Sequence, residues 1–190
     1  CNVRPPGHHA ERARALGFCF INNAAVAAAH AIASHDIERV AILDFDVHYG
    51  NGTRDIFLHD ERVMLCSIYE RDLYPFADVP PVENHHINSA LPGLGFARCM
   101  RDAVRDAWIP ALDSFAPQLY ILSAGFDAHR EDELSRGDMT EADYKWITMQ
   151  IMALADRHAR GRIVSTLEGG YALDALARSV AEHVRCLMGV

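Results

Sequence analysis

Asp44, Asp46 and His48 stand at every second position of the run LDFDVHYGNGT, residues 43 to 53. Alternate residues of a β-strand share one face, and the apolar VAIL that leads into this run reads as such a strand. Two carboxylates and an imidazole leaving a strand on one side suggest metal binding first. Two further apolar strands close in polar residues: LYILSAG leads to Asp127 and His129, and IVSTLEG to Glu168, Gly169, Gly170 and Tyr171. A parallel sheet brings its strand C-termini to one edge, where α/β proteins hold their ligands. Asp46, His48 and Asp127 can then converge on one cation. Two carboxylates and one imidazole, with a position left open, have the character of a catalytic zinc site. A single Asp at a strand end often only caps the next helix; three on one edge point beyond capping.

The segment RPPGHHA adds His8 and His9 behind a rigid Pro-Pro-Gly turn. If they face the metal edge, one imidazole can take the proton of an attacking water while the other protonates a leaving amine, work suited to groups that titrate near neutral pH. Neighbouring histidines in a loop are ordinarily solvated, and that is the reading of His85 and His86 in NHHIN. The glycines of LPGLG, 91 to 95, read as a turn before a helix rather than as a nucleotide loop.

These residues need elements to position them. The pattern predicts a helix over 20 to 35, a strand at 39 to 45 and a short helix opened by Asn51. A strand near 62 to 69, a Pro-containing loop from 73 to 84 and a short strand at 86 to 90 follow. Then come a helix over 95 to 115, a strand at 118 to 125, a helix over 140 to 160, a strand at 162 to 169 and a last helix over 172 to 188. In the last, Leu173, Leu176, Val180, Val184 and Leu187 form one apolar face. VAILDFD and LYILSAG are almost continuously apolar, as strands covered on both sides must be. The alternation predicts an α/β fold, a doubly wound, mostly parallel sheet flanked by helices.

A chain of 190 residues, half of them hydrophobic, suits one domain with a sizeable core. Its 18 basic and 26 acidic residues give −8, with no basic block to grip phosphates, so no direct nucleic-acid partner is expected. The five cysteines, Cys1, Cys19, Cys66, Cys99 and Cys186, are scattered and lack CxxC spacing, which predicts reduced, mostly buried thiols. No apolar run reaches the roughly 18 residues of a membrane span and no basic-then-apolar leader opens the chain, so a soluble, cytoplasmic protein without a membrane partner is expected. The opening CNVRPPGHHA, without Met, suggests an amputated N-terminus.

In order, RPPGHHA, GFCFINNAAVAA, LDFDVHYGNGT, SAGFDAH and LEGGY resemble the signature segments of the zinc-dependent histone deacetylase superfamily. The GNGT form is similar to class II and bacterial members, including histone deacetylase-like and acetylpolyamine amidohydrolases. The resemblance runs from residue 4 to about 185. It implies an arginase/deacetylase-like fold, incomplete at its N-terminus, with residues 1 to 190 forming the C-terminal part of a single deacetylase catalytic domain. It implies one Zn2+ per chain on Asp46, His48 and Asp127, with His8 and His9 as the tandem active-site histidines and Tyr171, after Gly170, donating to the substrate carbonyl. Gly17 and Phe18 would line the acyl-lysine tunnel, with Tyr74 opposite. A K+ ion would lie beside the zinc with Asp44, Asp46, His48 and Ser67, and another near Phe57, Asp60 and Val63.

The implied activity is hydrolysis of an N-acetyl or other N-acyl amide, from acetyl-lysine in a protein or from a small acetylated amine. Asp44 should orient His8. Asn51, where many class I relatives carry Asp, stabilises an imidazolium less than a carboxylate does, which makes His9 the principal base and His8 the charged or acid partner. Relatives usually carry a hundred or more residues ahead of PPGHH, and DELSRG stands where many have DPLG. A missing flank would leave a raw sheet edge and favour a homo-oligomer. Two other readings compete. A binuclear manganese ureohydrolase of the arginase type needs more bridging carboxylates, yet Ala128 and His129 follow Asp127. A non-catalytic acyl-lysine binding fragment should have lost part of the catalytic set, all of which is present.

Overall fold

The run VAILD is fully buried along its length because helices cover both faces of the sheet it centres. The computed structural model describes residues 5–190; Cys1 and Arg4 lie outside the described residues. In chain order the elements are α1 (Asn23–Ser34), β1 (Val40–Asp44), α2 (Asn51–Phe57), β2 (Val63–Glu70), β3 (Val82–Glu83) and β4 (His86–Leu91). After these come α3 (Phe96–Ala103), a π-helical stretch (Val104–Trp108), α4 (Ile109–Phe115), β5 (Leu119–Ala124), α5 (Glu141–Ala159), β6 (Ile163–Leu167) and α6 (Leu173–Met188). The sheet runs β3-β4-β2-β1-β5-β6, parallel throughout except for the two-residue edge strand β3. This is the expected doubly wound, mostly parallel sheet.

Side-chain alternation along β1 divides the core. Val40 and Ile42 pack with Ala24, Ala25, Ala28 and Ala31 of α1 and Phe57 of α2. Ala41, Leu43 and Phe45 pack on the other face with Phe96, Met100, Trp108, Tyr144 and Ile151 from the α3–α5 side. The alanine stripe lets α1 approach closely. Asn22 starts that helix by accepting from Ala25 N at 3.0 Å, and Thr140 and Asp143 form a reciprocal capping box at the start of α5. None of the described helices is long and apolar enough to cross a membrane.

Three expectations change. The helix over 95 to 115 is one run interrupted at Val104–Trp108, where Ile109 N reaches Val104 O; Pro110, at its first α-helical turn beyond, has no N–H to continue the regular ladder. His86 is buried on β4 rather than solvated, because the strand turns it inward while His85 stays half exposed. In α6 the innermost residues are Ala175, Ser179, His183 and Cys186. The leucines and valines expected there flank that line, and Leu173 is exposed, because small and hydrogen-bonded residues allow α6 to seat on α5. Cys19, Cys66 and Cys186 are buried free thiols and Cys99 is half buried.

His183 ties α5, α6 and β6 together. Thr148 Oγ1 donates to Tyr144 O at 2.7 Å and so accepts from His183 Nδ1 at 2.8 Å. Nε2 is then the acceptor for Ser165 Oγ at 3.0 Å. Burial pushes the imidazole down to about 4. Because the folded value lies below the unfolded value near 6.5, its stability contribution is complete above pH 6.5 and is lost as pH falls toward 4. The full loss is on the order of 3 kcal/mol. Urea unfolding of the parent and of His183→Leu should therefore converge across that window, with the flatter pH profile in the variant.

Candidate metal centre

Strand register sets the level of the site. Asp44 pairs with Ser67 on β2 and with Ser123 on β5, and Ser123 pairs with Thr166 on β6. The residues just beyond these pairs, Asp46 to His48, Asp127 and Glu168 to Tyr171, therefore emerge side by side at the C-terminal edge. His48 Nδ1 lies 3.1 Å from Asp46 Oδ1 and 3.0 Å from Asp127 Oδ2. Bonds of about 2.0–2.1 Å at tetrahedral angles would separate ligand atoms by about 3.3 Å, so the triad is close to the spacing of a zinc site. Among the described residues it is the one group of three or more His, Cys, Asp or Glu whose ligand atoms all lie within 4.8 Å of one another.

Backbone N–H groups hold these carboxylates. Asp46 Oδ1 accepts from His48 N at 2.8 Å and its Oδ2 from Gly169 N at 2.7 Å. Asp127 Oδ1 accepts from Val47 N at 3.0 Å. Residue 169 must be glycine, because a Cβ there would overlap the carboxylates of both Asp127 and Asp46. Burial and the Asp46 charge push Asp127 up to about 6. Burial alone would lower His48, but its bonds to Asp127 and Asp46 push it up to about 10. In the metal-free protein His48 thus carries the proton that a metal must displace.

The tandem histidines lie over the triad, ring centroids 4.0 Å apart. His8 Nδ1 is 2.9 Å from Asp44 Oδ2, and its Nε2 is 3.7 Å from Asp46 Oδ1. Burial opposes its charge, but Asp44 and Asp46 together hold it well above the usual imidazole range. Burial and the neighbouring His8 push His9 down to about 3. His9 Nδ1 is 2.7 Å from Asn51 Oδ1, and Asn51 Nδ2 donates to Glu11 Oε1 at 2.8 Å. With its amide oriented by Glu11, Asn51 offers oxygen to His9, so Nδ1 carries the hydrogen and Nε2 is left as the acceptor.

His8, His9 and His48 line a cavity of about 340 Å³ with Pro6, Gly17, Phe18, Tyr74, Leu134, Gly169 and Tyr171. Gly17 and Phe18 form a two-residue hairpin tip with φ of 51° and 65°, closed by Leu16 and Cys19. Any Cβ at residue 17 would overlap the His9 ring, so the sequence Gly-Phe both makes the turn and lifts Phe18, 74% exposed, onto the rim. The Tyr74 ring stands edge-on to His9 at 5.0 Å, and Phe18 faces Tyr171 at 6.5 Å. Burial and the charges of Asp46 and Asp127 push the Tyr171 phenol up, so it keeps its proton and remains a donor.

Of the residues assigned to potassium, Ser67 is buried beside Asp44 with no partner for its Oγ among the described residues. Phe57, Asp60 and Val63 share the turn after α2, where the Asp60 carboxylate is bound by Arg62 at 2.8 Å. His129 points away, accepting from Glu131 N. Three supporting residues had no role assigned from sequence: Glu11, Asp132, which accepts from Tyr171 N at 2.7 Å, and Glu168, which accepts from Gly7 N at 2.6 Å. The one signal was Glu168 closing an apolar strand ahead of two glycines.

A sequence model described as "Histone deacetylase domain" matches residues 1–187. The chain is 39% identical to "Histone deacetylase 14, chloroplastic" of Arabidopsis thaliana over 98% of its own length and 46% of that protein. It is 39% identical to "Histone deacetylase-like amidohydrolase" of Pseudomonas aeruginosa over 88% of its length and 46% of that protein. The chain thus spans about half the length of these relatives. The crystal structure titled "HDA15 HD domain" superposes with a TM-score of 0.87 at 34% identity, covering 98% of this chain and 54% of that one.

Calorimetry should find one Zn2+ per chain, with close to one proton released at neutral pH. Because His48 is protonated below about 10, zinc affinity should fall about tenfold per pH unit on acidification across the neutral range. Asp127→Ala should abolish the site, and a stoichiometry of two ions would contradict it.

Proposed function

The chain belongs to the histone deacetylase domain family, and on that premise we propose that it catalyses metal-dependent hydrolysis of an N-acyl amide. The substrate class is acetyl-lysine in a protein or a small acetylated amine. The observation that carries this reading is the unequal pair of imidazoles over a two-carboxylate, one-imidazole cradle, His8 backed by a carboxylate and His9 by an amide. Asp46, His48 and Asp127 fit zinc by donor type and spacing. When bound there, zinc supplies Lewis acidity toward the amide carbonyl and its attacking water.

The chain's own groups do the rest. Neutral His9 accepts the water proton at Nε2. His8, held as imidazolium by Asp44, lends positive charge to the developing oxyanion and is the acid available to the departing amine. The Tyr171 hydroxyl donates to the substrate carbonyl oxygen, and its high pKa suits it to donate without ionising. Phe18 and Tyr74 supply aromatic walls for an alkyl stem. K+ is proposed beside Asp44, Asp46 and His48, where the Ser67 Oγ, without a partner among the described residues, supports an extra oxygen-seeking ion.

Tyr171→Phe should retain the fold and zinc but lower kcat by about 10² or more, the loss expected for one preorganised oxyanion donor. KM should change much less, since the donor acts on the transition state. Steady-state kinetics of the full-length protein on an acetyl-lysine peptide decide the matter. Activity within a few-fold of the parent would remove Tyr171 from the mechanism.

A further inference from the structure

The loop that carries His8 and His9 has no regular secondary structure, yet both rings are buried and fixed. One side of that hold is local. His8 O accepts from Gly52 N at 3.0 Å and Thr53 N at 3.2 Å, in the first turn of α2, and Ala10 N returns to Gly7 O at 3.0 Å. The other side comes from the far end of the chain. Glu168 Oε2, just past β6, accepts from Gly7 N at 2.6 Å and His8 N at 3.0 Å, while its Oε1 accepts from Ser123 Oγ at 3.0 Å. The Glu168 carboxylate is completely buried.

We propose that Glu168 is the positioning residue of the tandem-histidine loop, its carboxylate gripping the backbone N–H groups of Gly7 and His8 so that both imidazoles stand over the metal triad. The inference rests on the proton-handling roles proposed for His8 and His9. Glu168 does not line the cavity, and it bonds to the main chain of the loop rather than to either ring. It acts through the main chain that carries them. Its two neighbours extend the same logic: Gly169 N fixes the ligand Asp46, and Tyr171 follows directly. One short run after β6 therefore aligns the histidine loop, a metal ligand and the phenol with one another.

The test separates hydrogen bonding from volume. In Glu168→Gln the side-chain carbonyl can face the two N–H groups and the amide can donate to Ser123 Oγ. Glu168→Met fills similar space and accepts nothing. Amide hydrogen exchange at Gly7 and His8, with and without zinc, should be nearly as slow in Glu168→Gln as in the parent. In Glu168→Met it should be about 10- to 100-fold faster, as expected for losing a bond to a charged acceptor, with β1 and β5 amides unchanged. In the full-length protein kcat should fall about 10² in Glu168→Met and no more than about tenfold in Glu168→Gln, with KM within a few-fold in both. Unchanged protection of Gly7 and His8 in Glu168→Met, or equal kcat in the two variants, would overturn the proposal. Glu168→Ala reads the same amides if the methionine variant does not fold. His9→Ala run alongside separates the premises: if it keeps activity, the proton-transfer reading fails while the exchange data still judge Glu168.

Discussion

Four carboxylates, those of Asp44, Asp46, Asp127 and Glu168, are buried together at one edge of a parallel sheet. Removing an ion from water costs several kcal/mol even after the protein relaxes. The turns after β1 and β6 answer that cost by aiming backbone N–H groups inward. Asp46, Val47, His48 and Gly169 all donate to Asp44, Asp46 or Asp127 in this way. Positive charge comes from the imidazoles of His8 and His48, and a divalent cation is the natural completion. Even so, burial leaves Asp127 raised to about 6 and Glu168 to about 7. The edge therefore holds more negative character than it can neutralise alone.

That surplus sorts the tandem histidines. His8 sits deep enough to face Asp44, Asp46 and Glu168, and keeps its proton. One residue on, His9 meets a neutral amide and the positive charge of His8, and gives its proton up. The two neighbouring imidazoles thus end as a cation and a neutral base, His8 through the carboxylates that face it and His9 through burial and the charge of His8.

Much of this was legible in the sequence because strand periodicity and strand ends are local signals. Asp46, His48 and Asp127 could be placed on one edge from alternation and apolar runs alone, and the order of helices and strands followed from the same pattern. What was hidden depends on partners distant in sequence. Glu168 reads as a polar strand end without a role until the fold brings Gly7 to it. The inward face of α6 could not be read from leucine spacing, because Ser179 is buried by its small size and His183 by its hydrogen bonds to Thr148 and Ser165 rather than by hydrophobicity. The helix over 95 to 115 was read as continuous, because the interruption at Val104–Trp108 lies in which carbonyls change partners ahead of Pro110.

The bond between Glu168 and Gly7 joins residues 161 apart, closing most of the chain into a single ring. Loop closure on that scale costs roughly 4–5 kcal/mol in chain entropy beyond a constant, and contacts of such long sequence separation slow folding. The triad's own residues span a shorter stretch, Asp46 to Asp127, on the paired strands β1 and β5, although Gly169 N, beyond β6, completes the hold on Asp46. Assembly is therefore expected in two stages, with the three triad side chains brought together once β5 docks, and the Gly169 hold on Asp46 and the histidine loop in place only after β6 joins. During synthesis the three candidate ligands would meet before the backbone that fixes them, and the histidines above them, had arrived.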